Sequence, residues 1–190
     1  SYLTHIPNMT VLAPSDSKTL DAMIRYAIND HDGPIAVRYP KRAAGEIDAP
    51  DFEFGHAAIL RSGDSVTIAS LGSMTSHAIS AADELKKSNI SAEIIDIRSA
   101  KPIDFDLIFE SADKTGLLIT VEDNIKSGGV GEKILAYAVE NGCEFKIKTL
   151  SFPDEFIPAG TQTQLFVKYG LSASKIAEKI KDMLKNEAET

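Results

Sequence analysis

The chain has a single cysteine, Cys143, so no internal disulfide can form, and that usage suits a reducing compartment; cytoplasm is the expected location. No apolar run approaches the roughly 20 residues that a membrane helix needs, and the N-terminal residues lack a basic region followed by an apolar stretch. Neither membrane insertion nor membrane partners are expected. Basic excess is missing too: Lys and Arg number 20 against 28 Asp and Glu, a net charge of -8, which argues against nucleic-acid binding. The four histidines, His5, His31, His56 and His77, are widely spaced and form no short-spaced ligand set with the distant cysteine, so no metal site is expected. There is no Gly-x-Ser-x-Gly elbow and no Gly-x-x-x-x-Gly-Lys loop, and Cys143 stands between Gly142 and Glu144 with no activating base. No self-sufficient catalytic constellation is present. Internal repeats of 20 to 50 residues and low-complexity tracts are also lacking, which excludes solenoids.

What is there belongs to an ordinary folded protein: 43% hydrophobic and 25% charged residues over 190 positions, enough for one large or two small domains. The chain opens Ser1-Tyr2-Leu3, without Met and in what reads as the middle of a folded element, as expected of a fragment or processed chain. Thr10 to Ala13 is a short strand-type run, and Pro14-Ser15-Asp16 supplies a helix cap. Leu20, Met23, Ile24, Ala27 and Ile28 share one helical face before Asp32-Gly33-Pro34 stops the helix. Ile35 to Tyr39 follows as a strand, giving a βαβ unit at the edge of an α/β sheet. From Lys41 to Asp51 the sequence turns polar and small, and the domain boundary is placed there, with units 1–45 and 46–190.

The second unit opens with Ala57 to Leu60 and Val66 to Leu71, separated by turn residues in the manner of a hairpin. Helices then alternate with strands: Met74 to Leu85, Ala92 to Ile97, Phe105 to Ala112, Leu117 to Val121, Ile134 to Val139, Phe145 to Leu150 and Ile176 to Leu184. That rhythm predicts an α/β domain with a mostly parallel sheet and an antiparallel edge.

Arg38 falls at the C-terminal end of a predicted strand, where α/β sheets bind ligands, and its guanidinium suits a phosphate or carboxylate; a surface or ion-paired arginine would look the same. Ser127-Gly128-Gly129-Val130-Gly131 lies between a strand and a helix, where backbone N–H groups can cradle an anion. The bland reading, close helix–sheet packing, is favoured because Glu122 and Asp123 just upstream would repel a phosphate. Those two carboxylates point to opposite sides of a strand, so one is expected to cap the next turn or helix rather than share acid–base work with the other. Asp104 and Asp106 are read as a helix start, and the alternating charges Lys175, Glu178, Lys179, Lys181 and Asp182 as a solvated helix face.

Several stretches taken in order carry a resemblance. Tyr2 to Asp16 (YLTHIPNMTVLAPSD) and Asp32 to Pro40 (DGPIAVRYP) resemble the end of the pyrimidine-binding domain of the 1-deoxy-D-xylulose-5-phosphate synthases, a branch of the transketolase family. Arg98 to Asp104 (RSAKPID), Thr120 to Asn124 (TVEDN), Gly128 to Gly131 and Pro153 to Thr161 (PDEFIPAGT) are similar to their transketolase-type C-terminal domain. The resemblance implies the C-terminal portion of a homodimeric enzyme that condenses pyruvate with D-glyceraldehyde 3-phosphate, with thiamine diphosphate and Mg²⁺ as cofactors. The cofactor would act as electron sink while protein groups orient it. It also implies that Arg38 binds the phosphate of the acceptor and that no catalytic, cofactor-binding or metal-binding residue falls in this chain, so the chain alone is expected to be inactive and cofactor-free. After Tyr39-Pro40 the family continues with Arg and then Gly, whereas Lys41, Arg42 and Ala43 stand here, so the local loop is expected to differ. The alternatives are part of another transketolase relative, such as transketolase or a pyruvate dehydrogenase beta subunit, and a stand-alone assembly or anion-binding module.

Overall fold

In a computed structural model, residues 2–40 and 45–188 are described; the loop expected to depart from the family at Lys41, Arg42 and Ala43 lies outside them. A short 3-10 turn at Tyr2–His5 leads into β1 (Thr10–Leu12), α1 (Ser17–Asn29) and β2 (Ile35–Val37). Asp16 caps α1, its Oδ1 accepting from the Thr19 N–H at 2.8 Å, and β1 and β2 pair in parallel. The strand, helix and strand read from the sequence are therefore present. The apolar stripe of α1 is only partly covered: Met23 is buried, but Ile28 extends beyond the cover that the described residues provide.

The second unit runs β3 (Ala58–Arg61), β4 (Val66–Ser70), α2 (Met74–Lys86), β5 (Ala92–Asp96), β6 (Ser99–Lys101), α3 (Phe105–Thr115), β7 (Leu117–Ile125), α4 (Val130–Glu140), β8 (Lys146–Phe152), α5 (Gln162–Tyr169) and α6 (Ala173–Ala188). Its five-stranded sheet has the order β3-β5-β4-β7-β8, with β4 parallel to β5 and β7, and β7 parallel to β8. The expected hairpin between β3 and β4 is corrected: β5 lies between them, and β3 pairs antiparallel with β5 as the sheet edge. Short turn residues allow a hairpin but do not compel one. Here β5 is buried throughout and takes the place beside β4.

Strand alternation divides the core. Val66, Ile68, Ile94, Leu117 and Ile119 face α2 and α6, whose Leu85, Ile176 and Ile180 are fully buried against them. Ala69, Leu71, Ile95 and Leu118 face α3 and α4, meeting Ile108, Ala112, Val130 and Ile134. Val11 and Ala13 of β1 join this second cluster, so the two units share a core. The join is also a sheet: β6, which follows the five-stranded sheet's β5, pairs antiparallel with β1, making a three-stranded sheet of order β2-β1-β6. The connecting segment is tied down too. Ile47 N–H donates to Asp16 Oδ2 at 3.0 Å, and Phe54 stacks on Tyr26 of α1 with ring centroids 4.8 Å apart.

Candidate functional site

In the five-stranded sheet the chain leaves β4 toward β5 on one side and returns to β7 on the other, so the crevice beyond the C-terminal ends of β4 and β7 is a topological switch point. Such crevices hold ligands because diverging connections leave the space open. The end of β2 arrives at the same place. Arg38, the residue after β2, is fixed by its own backbone N–H, which donates to the Leu12 carbonyl at 2.8 Å, and its guanidinium reaches Asp123 near the end of β7.

Arg38 Nη1 donates to Asp123 Oδ1 at 2.7 Å, and Nη2 lies 3.5 Å from the Asp123 carbonyl. The other carboxylate oxygen, Oδ2, accepts from Ser73 Oγ at 3.2 Å. The arginine side chain remains 53% exposed against 16% for the aspartate, so the carboxylate is the anchored partner and the guanidinium the accessible one. Both readings of Arg38 offered by the sequence are compatible with this geometry: it is ion-paired, and it lines a cavity of about 220 Å³ whose walls include Val11, Ala13, Leu71, Asp123 and Lys133. Burial lowers the Lys133 ammonium from its ordinary value, Lys101 adds to the effect, and Glu122 opposes it.

Glu122 and Asp123 diverge as strand alternation requires, and a bulge lies in the same stretch of β7. Val121 pairs with Leu150 and Ile125 with Phe152, so β7 advances four residues where β8 advances two. Glu122 turns inward and caps α4: its Oε1 accepts from Gly131 N–H at 2.9 Å and its Oε2 from Val130 N–H at 3.0 Å. Burial raises its carboxyl above the usual value, while those two backbone donors pull the other way. The anion position at the glycine-rich turn is thus taken by the protein's own carboxylate. A Cβ on Gly129 would come within 2.4 Å of Glu122 Oε1, and one on Gly131 within 2.4 Å of Thr120 Oγ1, so these glycines serve close packing.

Asp104 caps α3 through Leu107 N–H at 3.2 Å and also accepts from Ala57 N–H at 2.9 Å. His77 lies edge-on to Phe166 with ring centroids 5.0 Å apart; burial lowers its pKa and Asp123 opposes the shift. Among the described residues, no three or more His, Cys, Asp or Glu side chains gather as a metal site. With its backbone donors taken up by Glu122, the glycine-rich turn itself does not fit a magnesium–diphosphate group.

Sequence reasoning missed Asp123 as the partner of Arg38, 85 positions away. It also missed the buried pair Asp96 and Arg98. Asp96 accepts from Ser15 Oγ at 2.6 Å across the two units, and burial raises its carboxyl to about 6. Arg98 donates to the Pro50 and Asp51 carbonyls at 2.6 and 2.9 Å. The available signal was position: Asp96 ends β5, and Arg98 opens the RSAKPID stretch two residues later.

Comparison with known proteins agrees with this architecture. Residues 55–176 match the family described as transketolase, C-terminal domain, and residues 1–46 match the transketolase pyrimidine binding domain. The chain is 39% identical over 183 residues to a 1-deoxy-D-xylulose-5-phosphate synthase of Caldanaerobacter subterraneus subsp. tengcongensis, covering 95% of this chain and 29% of that protein. It is 36% identical over 188 residues to the synthase of Syntrophotalea carbinolica, covering 97% and 30%. The chain therefore spans about three tenths of the length of these relatives. Among solved structures, a split gene transketolase described as an inactive beta4 tetramer superposes with a TM-score of 0.89 at 32% identity, covering 96% of this chain and 60% of that one. A transketolase mutant from Pichia stipitis, at 17% identity and a TM-score of 0.73, shares the fold and covers all of this chain and 27% of its own. With the C-terminal domain match spanning most of its length and the pyrimidine-binding match preceding it, this chain belongs to the transketolase family.

Proposed function

We propose that these residues serve as the C-terminal portion of a homodimeric, cytoplasmic synthase that condenses pyruvate with D-glyceraldehyde 3-phosphate to 1-deoxy-D-xylulose 5-phosphate and CO₂. Residues 1–45 complete a pyrimidine-binding domain and 46–190 form the transketolase-type C-terminal domain. Thiamine diphosphate and Mg²⁺ belong to the whole enzyme and are held by residues other than those described. Arg38 contributes the contact to the acceptor's phosphate.

The observation that carries this reading is the guanidinium of Arg38, accessible at a switch-point crevice and anchored, among the described residues, through Asp123. A fixed cation there can hold a dianionic phosphate through charge-assisted bonds and so present the aldehyde in one orientation. The synthase names of the relatives support the reaction over that of a pyruvate dehydrogenase beta subunit. Arg38→Ala in the complete enzyme is expected to raise KM for glyceraldehyde 3-phosphate roughly 10- to 100-fold, the equivalent of about 1.5–3 kcal/mol for a lost charge-assisted contact. KM for pyruvate should stay near its starting value. An unchanged KM for the phosphorylated substrate removes Arg38 from the site.

Residues 1–190 alone are expected to show no micromolar binding of thiamine diphosphate with Mg²⁺ in calorimetric titration. Such binding would contradict the assignment of the cofactor to other residues. The similarity to a split gene transketolase raises a second reading: the chain as part of a separate assembly subunit. That reading expects activity to return on mixing with a separately expressed cofactor-binding subunit.

A further inference from the structure

We infer that Asp123 is a positioning residue, through which the C-terminal domain sets the orientation of Arg38 and hence the affinity for the acceptor's phosphate. The inference rests on the reading of Arg38 given above. Three observations carry it.

The first is that Arg38 is held from two separate parts of the fold. Its backbone is fixed to β1 by the bond to Leu12, while its guanidinium is fixed to β7 of the other sheet. A long arginine side chain left alone would sample many rotamers, and a side chain pinned at its far end does not. The second is that Asp123 is itself anchored. Ser73 Oγ holds Oδ2, and Ser73 makes no side-chain capping bond to α2, which leaves its hydroxyl committed to the carboxylate. Asp123 and Glu122 are successive residues of β7, so Asp123 meets Arg38 while Glu122 turns to α4.

The third is the division of the guanidinium. A guanidinium carries five N–H donors in a planar fork. Asp123 engages Nη1 and Nη2, and among the described residues Nε has no partner. One edge is thus used for orientation, and the edge that includes Nε is left without a partner among the described residues. A phosphate bound there meets a fork whose plane is already set, and the ordering cost is met in the free protein.

This makes Asp123 distinct from a competitor for the cation. If the carboxylate merely neutralised Arg38, removing it would strengthen phosphate binding; if it positions the fork, removing it weakens binding. The experiment is steady-state kinetics of the complete, cofactor-loaded enzyme carrying Arg38→Ala, Asp123→Asn, both together, or Ser73→Ala. Asp123→Asn is expected to raise KM for glyceraldehyde 3-phosphate roughly tenfold, with kcat and KM for pyruvate changed by less than about twofold. On the Arg38→Ala background it should add nothing, since it acts only through that arginine. Restoring the carboxylate in Asp123→Glu should recover part of the loss.

Ser73→Ala removes only the support of Oδ2 and should give a smaller rise of about two- to threefold in the same parameter, which keeps the test open if Asp123→Asn fails to fold. An unchanged or lowered KM for the phosphorylated substrate in the Asp123 variant, or full additivity with Arg38→Ala, overturns the inference while leaving the role of Arg38 intact. An unchanged KM in Arg38→Ala alone overturns both, and that failure is read from the single arginine variant.

Discussion

Asp96 is fully buried at the end of β5, and burial raises its carboxyl to about 6 from an ordinary 3.8, against the pull of Ser15 and Arg98. The folded state therefore binds the proton more tightly than the unfolded chain does. Stability from this residue is fully present below about pH 4 and falls as pH rises through the folded value near 6. A difference of roughly two units corresponds to about 3 kcal/mol. Denaturant unfolding at pH 4 and pH 7 should show the stability of the parent relative to Asp96→Asn increasing by up to that amount at the lower pH. A pH-independent difference would mean that Asp96 is not held in a protonation-favouring site. The pair escaped sequence reading because its partners are distant: Ser15 lies 81 positions from Asp96, and the carbonyls that receive Arg98 lie 47 and 48 positions away. Arg38, by contrast, could be singled out from its strand-end position, although its partner could not. At 3.8 Å the Arg98 Nε contact with Asp96 is too long for a hydrogen bond, and the guanidinium instead secures the segment entering the second unit.

The junction of β7 and α4 shows what elements add. The glycine-rich turn had two readings, anion cradle or close packing, and the structure combines their physics: the N-terminal N–H groups of α4 do bind an anion, the carboxylate of Glu122. Gly131→Ala would drive a methyl into Thr120 Oγ1 and Thr149 Cγ2, at 2.4 and 2.9 Å. Overpacking of this kind costs about 1–3 kcal/mol, and thermal unfolding should register it as a lowered Tm. An unchanged Tm would mean that α4 can shift away from the sheet without loss. Longer elements such as α2, α6 and β4 were legible because their apolar period persists over several turns or strand residues. β6 has only three residues, too few for a period to register. α5 has one buried residue, Phe166, but its capping box of Thr161 and Gln164 was a sequence signal that went unused. The misread hairpin failed for another reason. Two strands joined by a tight turn are free to accept a third between them, and local sequence carries no information about β5 arriving from residue 92 onward.

For the whole molecule, the two units share a sheet, a core and a buried carboxylate. β6 of the second unit completes the sheet of the first, Val11 and Ala13 pack into the second unit's core, and Ser15 reaches Asp96. Ala13 N–H donates to the Arg98 carbonyl at 2.8 Å, across the join, whereas Leu71 N–H donates to the Val121 carbonyl at 3.0 Å, within the five-stranded sheet. If the join is as firm as its burial suggests, the two amides open only in the same global event. Native-state hydrogen exchange should then give opening free energies for Ala13 and Leu71 within about 1 kcal/mol of each other. An Ala13 amide that opens several kcal/mol more easily would mean that the first unit separates while the second stays folded. Such separation would also carry Arg38 away from Asp123, because the arginine backbone travels with β1 through Leu12. Firmness of the join is therefore a condition for the coupling between the C-terminal domain and the substrate-phosphate contact, and exchange at these two amides measures it without any substrate present.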